Sequence, residues 1–357
     1  MNTKQIKPNI SGKKVFVGLS GGVDSAVSAA LLKEQGFDVT GVFIKVWSPD
    51  FLPCTWRDER RDAMRAAAQL DIPFLFFDFE KEYKKEVADY MVNEYKEGRI
   101  PNPDVMCNKE IKFGIFWKKA EELGVNFIAT GHYAQNIEGK LFESVDKEKD
   151  QSYFLWTLTK NDLKHIIFPV GNLNKKEVRR LAEKYKLSVS TKKDSQGICF
   201  LGEISLEEFL PHFIQVRPGN VLDTQGNIIG THKGAIYFTL GERHGFDVTT
   251  KGPDNKAYYV VSKNMNDNTI TVSNDEKVIS ELSAKKVLLK EINFNGETKA
   301  QNLLARVRYR GEKIQVKFND DKVEFISRIN GVAVGQSLVL YDGDFCVGGG
   351  IIDEIIE

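Results

Sequence analysis

Two hydrophobic patterns divide the chain near residue 205. Before this point, short apolar runs typical of buried strands alternate with stretches of helical character. The apolar runs are "KVFVGL", "VTGVFIKVW", "PFLFFDF" and "NFIATG", and the helical stretches are "DSAVSAALLKEQG", "RRDAMRAAAQL" and "EIKFGIFWKKAEELG". This alternation predicts an α/β fold with a parallel sheet and crossover helices.

After residue 205 the chain consists of short alternating runs separated by glycine and asparagine turns. Examples are "GNVLDTQGNIIGTHKGAIYFTLG", "KAYYVVSKNMNDNTITVS" and "RVRYRGEKIQVKF". This half is therefore predicted to be nearly all β. The stretch "ISELSAKKVLLKEI" at residues 279–292 fits either a helix that divides this half or a further strand. We predict three domains, at residues 1–205, 206–277 and 278–357.

The length and composition of the chain fit a protein with several domains and exclude some classes of protein. The 357 residues, 41% of them hydrophobic, exceed the size that one core usually supports. Lys and Arg number 50, as do Asp and Glu, so nucleic acid could bind only at local basic patches. The polar N-terminus and the lack of an apolar run of about 20 residues predict a cytoplasmic protein without a membrane span. The cysteines are too few and too scattered for a secreted disulfide scaffold; they are Cys54, Cys107, Cys199 and Cys346.

The segment "VFVGLSGGVDSAV" predicts a phosphate-binding loop. A strand should end at Leu19, a tight turn should use Gly21 and Gly22, and a helix should follow. The N–H groups and the positive dipole end of that helix would face an anion. A glycine turn that serves packing alone is the alternative, but the full string "SGGVDS" favours nucleotide binding.

The loop lacks the lysine that a Walker loop carries beside the β- and γ-phosphates. Asp24 and Ser25 stand there instead, and Asp24 can help to hold Mg²⁺. A loop that cradles the β-γ pair as a unit suits departure of pyrophosphate after attack at the α-phosphorus. The predicted product is an adenylate. The motif resembles that of the PP-loop ATP pyrophosphatases, and it does not identify the acceptor.

Two cysteines lie in segments with polar and basic neighbours. In "GRIPNPDVMCNKEIKF", Cys107 is predicted at the start of a helix capped by Asn108, where the helix dipole and Lys109 would favour the thiolate. In "STKKDSQGICFLG", Cys199 follows a glycine on a loop. A buried structural role is the alternative for each, and sequence spacing cannot pair two residues so far apart.

The motifs together resemble the tRNA-specific 2-thiouridylases. The similarity runs through "GLSGGVDSAV", "NPDVMCNKEIKF", "ATGHYA", "KDQSYFLW", "DSQGICF", "GTHKGAIYFTLGERHG" and "YDGDFCVGGGII". That family replaces the 2-oxygen of the wobble uridine with sulfur in glutamate, lysine and glutamine tRNAs. The resemblance implies a doubly wound parallel sheet of the PP-loop type, similar to the adenine-nucleotide alpha-hydrolases. A small β-rich central domain that binds tRNA and a C-terminal β-barrel would follow.

The resemblance also implies catalytic roles. Cys199 would carry a persulfide loaded by a cysteine desulfurase or a sulfur-relay protein. Cys107 would release the sulfur and end in a disulfide with Cys199, while Asp104 would handle a proton. ATP, with Mg²⁺, would make the uridine oxygen a leaving group.

Binding residues follow from the same resemblance. ATP contacts are expected at the phosphate loop and at two further strand ends, namely at Gly18, Leu19, Ser20, Gly21, Gly22, Val23, Asp24, Ser25, Ile44 and Gly131. The target base is expected at Asn102, Pro103 and Asp104. Further tRNA contacts are expected at His132, Lys149, Asp150, Gln151, Arg308, Tyr309, Arg310 and Gln336. For Ile44 and Gly131 the alternative is ordinary strand packing.

The stretch "ARVRYRGEKIQVKF" suggests how phosphates could be held. On a strand, Arg306, Arg308 and Arg310 would lie on one face, roughly 6.6 Å apart, and would form a row for an RNA backbone. A solvated strand face is the alternative.

Three other functions remain open from the sequence. The protein could be another PP-loop ligase that acts on a small metabolite. It could be a thiolase in which Cys107, Cys199 and Asp104 hold an iron-sulfur cluster, which is possible but not favoured. It could also be a catalytically inactive module that binds tRNA.

Overall fold

The computed structural model describes residues 12–52, 55–193, 204–249, 256–298 and 302–356. Its strands form three sheets. Within the described ranges, no helix combines the length and the apolar character needed to cross a bilayer.

The first sheet has five parallel strands. These strands are β1 (Lys14–Gly18), β2 (Asp38–Lys45), β3 (Phe74–Asp78), β4 (Phe127–Ala129) and β7 (Ile166–Ile167). Their order is β3-β2-β1-β4-β7. Because β1 lies at the centre, its alternate residues are buried on opposite faces: Val15 and Val17 belong to one core and Phe16 to another.

Helices cover both faces of this sheet. They are α1 (Val23–Glu34), α2 (Trp56–Gln69), α3 (Glu80–Tyr83), α4 (Tyr90–Lys96), α5 (Pro103–Met106), α6 (Phe116–Glu122), α7 (Lys160–Leu163) and α8 (Lys175–Lys184). Two π-helical stretches, Lys84–Asp89 and Cys107–Ile115, continue α3 into α4 and α5 into α6. Residues of α1, α2 and α8 share the core of Val15, whereas the core on the other face includes α4 and the α5–α6 helix. The predicted doubly wound parallel sheet is confirmed.

The second sheet is small and is preceded by helix α9 (Leu206–Phe209). Its strands are β8 (Gly219–Leu222), β9 (Ile228–His232), β10 (Phe246–Val248), β11 (Tyr259–Asn264) and β12 (Thr269–Ser273). Helix α10 (Glu276–Glu281) follows it. This part agrees with the predicted central β-rich region.

The third sheet contains an antiparallel barrel of six strands, which closes because strand 284–294 pairs with strand 345–356. The barrel strands are β13 (Ala284–Phe294), β14 (Leu303–Arg306), β15 (Ile314–Asn319), β16 (Lys322–Ile329), β17 (Ser337–Asp342) and β18 (Phe345–Ile356). A hairpin from the first half, β5 (Ala134–Ile137) and β6 (Lys140–Glu143), attaches where Phe142 pairs with Phe345 of β18. The first half of the chain and the barrel therefore share a sheet.

Residues 279–292 contain both of the elements that the sequence suggested. Helix α10 ends at Glu281 and strand β13 begins at Ala284. The predicted domain boundaries at residues 205 and 277 stay predictions.

Candidate active site

The loop between β1 and α1 has the geometry of an anion site. Gly21 has φ of +73°, and a side chain there would clash with the carbonyl oxygen of Glu59. Gly22 precedes the helix in an extended conformation. The first N–H groups of a helix have no partner within it and carry its positive dipole end. The backbone therefore requires glycine at position 21, and the start of α1 offers N–H groups and a positive dipole end to an anion.

Ser25 holds the loop in shape. Its hydroxyl accepts a hydrogen bond from the Ser20 backbone N–H at 3.2 Å and donates one to the Gly22 carbonyl at 3.1 Å. These two bonds connect the start of the loop to the first turn of α1.

Gly131 lies against the same helix start. It follows β4, and a Cβ there would lie 2.7 Å from the Ser25 backbone nitrogen and 2.8 Å from the Asp24 carbonyl carbon. Ile44 stands near the carboxyl end of β2, which pairs in parallel with β1. Open α/β sheets bind ligands at this edge. The positions of Gly131 and Ile44 are consistent with contacts to ATP, and these contacts stay predictions.

Two lysines from distant parts of the chain reach the loop, and the sequence analysis did not identify either as a site residue. Lys175 Nζ lies 2.7 Å and 2.8 Å from the two carboxylate oxygens of Asp24. Lys192 Nζ donates to the Gly21 carbonyl at 3.0 Å and pairs with Asp62 at 2.7 Å. Cation charge is therefore present at the loop although its own sequence has none.

The carboxylate of Asp24 is already engaged by protein groups. Besides Lys175, the Tyr133 hydroxyl donates to it at 2.8 Å. Across the ranges that the structure describes, no group of three or more His, Cys, Asp or Glu side chains could hold a metal ion. The Mg²⁺ role of Asp24 stays a prediction.

The helix that carries Cys107 begins earlier than predicted. Asn102 is its cap and accepts a hydrogen bond from the Val105 N–H, with Pro103 in the first position. The prediction that Asn108 is the cap was wrong, because Asn108 lies inside the helix, buried, and donates to the Phe154 carbonyl at 3.2 Å. A proline at the first helical position explains the earlier start.

Cys107 and Asp104 belong to neighbouring turns of this helix. Cys107 is 1% exposed and Asp104 is partly exposed. Residues three apart lie on the same side of a helix, which suits the expected cooperation of thiol and carboxylate. Cys199 and Cys54 lie outside the described residues, so the pairing of Cys107 with Cys199 stays a prediction.

The segment that precedes Asn102 is held by the barrel. Gln336 Nε2 donates to the carbonyls of Ile100 and Pro101 at 2.9 Å and 3.1 Å. The Ile100 N–H in turn donates to the Val334 carbonyl at 2.9 Å. Gln336, which was predicted to contact tRNA, therefore uses its amide inside the protein to position the predicted base-binding segment.

His132 is also an interior residue. It is 8% exposed, packs against Phe113 and Phe168, and lies 2.7 Å from the Thr130 hydroxyl through Nδ1. Burial, with a smaller effect of Lys112, lowers the pKa of His132 well below its ordinary value. The expected contact of His132 with tRNA stays a prediction, and its imidazole is buried and neutral in this structure.

A cleft of about 470 Å³ lies between the loop after β6 and the turn after β14. We call it the basic cleft; it is lined by Lys147, Glu148, Lys149, Asp150, Arg306, Tyr309 and Arg310. The structure thus brings together predicted tRNA contacts that are about 160 residues apart in the chain. Gln151, the neighbour of Asp150, is only partly exposed, and its side chain accepts from the Tyr133 N–H.

The predicted row of three arginines was wrong. Strand β14 ends at Arg306, and Arg310 adopts a left-handed conformation with φ of +58° in the turn that follows. Arg306 faces inward, where it pairs with Glu143 at 3.0 Å and with Asp150 at 3.2 Å. Arg308 and Arg310 remain exposed.

Asp150 is the internal end of this ion network. Its carboxylate accepts from the backbone and hydroxyl of Ser152 and from the Ser144 N–H. Burial raises the pKa of Asp150, and the hydrogen bonds oppose that shift. The Asp150 carboxylate therefore holds Arg306 in place at the cleft. Lys149 and Arg310 contribute positive charge to the lining.

Comparison with known proteins follows the same division of the chain. Residues 13–203 match a model described as tRNA methyl transferase HUP domain, and residues 207–274 match tRNA methyl transferase PRC-barrel domain. Residues 284–352 match Aminomethyltransferase beta-barrel domain.

Curated relatives match over nearly the full length. The tRNA-specific 2-thiouridylase MnmA of Listeria monocytogenes serotype 4a is 42% identical, over 97% of this chain and 96% of the relative. That of Staphylococcus saprophyticus subsp. saprophyticus is 42% identical over 96% of each. Among solved structures, the U34-tRNA thiolase NcsA from Methanococcus maripaludis with its 4Fe-4S cluster gives a TM-score of 0.36 at 22% identity, covering 53% of this chain and 61% of that one. A structural likeness of that size carries no argument about function.

Proposed function

Because the chain belongs to the tRNA-specific 2-thiouridylase family, we propose that it is an ATP-dependent tRNA-uridine 2-sulfurtransferase. The observation that carries this proposal is the 42% identity with 2-thiouridylases over 97% of the chain. The loop geometry supports it, since Gly131 keeps a side chain away from the start of α1, where an anion would bind.

Adenylation is the first proposed step. The 2-oxygen of uridine attacks the α-phosphorus of ATP, the bond between that phosphorus and the bridging oxygen breaks, and pyrophosphate leaves. Asp104 accepts the proton that uridine loses. The loop at the start of α1 holds the phosphates, and Mg²⁺ would add charge there with Asp24 among its ligands.

Sulfur transfer is the second proposed step. The terminal sulfur of a Cys199 persulfide attacks the activated carbon, and the bond from carbon to oxygen breaks so that AMP leaves. The Cys107 thiolate then attacks the inner sulfur, which breaks the persulfide bond and leaves sulfur on the base. Two cysteine thiols are oxidised to a disulfide while the sulfur is reduced, and a cellular thiol reductant restores them.

The basic cleft is the proposed tRNA surface. Lys149, Arg308 and Arg310 supply positive charge at or beside it, and Tyr309 offers an aromatic ring. Phosphate contacts of this kind give affinity that falls with salt. We propose the wobble uridines of glutamate, lysine and glutamine tRNAs as targets, a cysteine desulfurase or sulfur-relay protein as donor, and the cytoplasm as location.

The test is reconstitution. Purified protein is incubated with ATP, Mg²⁺, a persulfide source and unmodified glutamate tRNA, and digested tRNA is examined by mass spectrometry for 2-thiouridine. We expect product with the wild-type chain, and none with Cys199→Ser although tRNA still binds. Full activity of Cys199→Ser, or activity that requires bound iron in anaerobically purified protein, would contradict the persulfide mechanism.

A further inference from the structure

The phosphate loop lacks a lysine of its own, yet the first residue of α8 places one there. Lys175 Nζ contacts both carboxylate oxygens of Asp24, which lies in the first turn of α1. We propose that Lys175 is the cation that contacts the β- and γ-phosphates of ATP and neutralises the departing pyrophosphate. This inference rests on the proposed function and adds a phosphate-binding residue to its site.

The backbone of Lys175 is fixed in place. Asn174 and Glu177 form a reciprocal cap at the start of α8, and the Lys175 N–H donates to Asp146 at 2.9 Å. Its side chain is 15% exposed, against 30% for that of Asp24. The ammonium also lies 5.8 Å from the centre of the Tyr133 ring. A lysine held by its backbone and by an aromatic ring reaches the loop at little further cost in side-chain entropy.

The charges around the loop indicate that Lys175 binds phosphate in addition to pairing with Asp24. A carboxylate at the start of α1 repels the phosphates that the helix dipole attracts. Lys175 cancels that repulsion while it is bound to Asp24. When triphosphate enters, the ammonium can exchange its contact with the two carboxylate oxygens of Asp24 for contact with an oxygen-rich polyanion, and Asp24 becomes available to a cation.

Lys192 has a different task. Its ammonium donates to the Gly21 carbonyl and pairs with Asp62. It therefore holds the shape of the glycine turn through the backbone. The Lys175 ammonium, by contrast, contacts a side chain, the carboxylate of Asp24.

Calorimetric titration with nucleotides tests the proposal. ATP, inorganic pyrophosphate and AMP are titrated into wild type, Lys175→Ala, Lys175→Arg and the matched control Lys176→Ala, an exposed neighbour on the same turn. We expect Lys175→Ala to weaken ATP and pyrophosphate binding roughly ten- to hundredfold, as for loss of a charge-assisted hydrogen bond. AMP binding should stay within about twofold on the same basis, and Lys175→Arg should recover most of the ATP affinity.

Each outcome has a distinct meaning. Equal ATP affinity in wild type and Lys175→Ala overturns the inference, as does an equal loss for AMP, which would indicate general damage to the site. Melting temperatures identify misfolding, and Lys175→Gln, which keeps the side-chain length but not the charge, replaces the alanine variant if that one fails to fold. If the wild-type protein binds no ATP at all, the proposed function is wrong. If every variant binds ATP as the wild-type protein does, only the proposed role of Lys175 is wrong.

Discussion

The hydroxyl of Tyr133 donates a hydrogen bond of 2.8 Å to the carboxylate of Asp24. The backbone of the same tyrosine is paired with Gln151: its N–H donates to the Gln151 side chain at 3.0 Å, and its carbonyl accepts from the Gln151 N–H at 2.8 Å. One buried residue thus connects the phosphate loop with the predicted tRNA-contact segment 149–151. Changes in that segment on tRNA binding can reach the loop through a single side chain.

Removal of the Tyr133 hydroxyl should weaken this connection. Tyr133→Phe keeps the buried ring and its packing, so we expect a loss of about 1 kcal/mol in the free energy of unfolding, the usual worth of one hydrogen bond. Pyrophosphate release without tRNA should change little, whereas its stimulation by tRNA should fall. Both rates are measured with a coupled phosphate assay.

The comparison variant is Tyr185→Phe. Its hydroxyl donates to Glu34 on the surface, away from the loop. If both variants retain full stimulation by tRNA, Tyr133 does not couple the two sites.

Gln336 should matter for sulfur transfer and not for nucleotide binding. Gln336→Ala removes two hydrogen bonds to the carbonyls of Ile100 and Pro101, which are partly buried acceptors that would be left unsatisfied. We expect a loss of about 1–3 kcal/mol in the free energy of unfolding and a lower rate of 2-thiouridine formation, because the Asn102 segment becomes less ordered. ATP affinity, measured by calorimetry, should stay as in wild type.

Gln336→Glu tests the direction of these bonds. A carboxylate cannot donate to a carbonyl, so this variant should behave like alanine despite its equal size. Wild-type thiolation by Gln336→Glu would show that the two hydrogen bonds to Ile100 and Pro101 are not needed for sulfur transfer.

The basic cleft should control the salt dependence of tRNA binding. Arg308 and Arg310 are exposed in the turn after β14, so Arg308→Ala with Arg310→Ala should weaken binding across tRNA sequences. If each arginine neutralises one phosphate, the slope of log affinity against log salt should fall in magnitude by about 1.4–1.8. Fluorescence anisotropy at several salt concentrations measures this slope.

A control removes the same charge elsewhere on the barrel. Lys317 and Lys322 are exposed residues of β15 and β16. Lys317→Ala with Lys322→Ala should leave the slope near that of wild type. An equal change in both double variants would mean that only net charge matters and that the cleft is not the binding surface.

Local pattern predicted local structure well and distant contacts poorly. The strand, glycine turn and helix around Gly21 follow from neighbouring residues, as does the parallel sheet. Lys175 could not be assigned to the loop, because 151 positions separate it from Asp24; the only local signal was the cap formed by Asn174 and Glu177. Arg306 shows the same limit, since its alternation with Arg308 indicated a strand face while two distant carboxylates decide its orientation.

The last prediction concerns pH and His132. Burial keeps this imidazole neutral and lowers its pKa in the folded protein; in the unfolded chain its pKa is about 6.5. Below that pH the imidazole is protonated in the unfolded chain but not in the folded protein. The free energy of unfolding therefore decreases as the pH falls, by at most about 1.4 kcal/mol per pH unit from this group. Above pH of about 7 this effect is absent.

Denaturant unfolding of wild type between about pH 5 and 7.5 measures the slope across the ordinary histidine range. His132→Asn should flatten it, whereas His212→Asn, which removes an exposed imidazole stacked on Phe51, should not. A steeper slope in His132→Asn than in wild type would mean that His132 is charged in the folded state, which would contradict its lowered pKa.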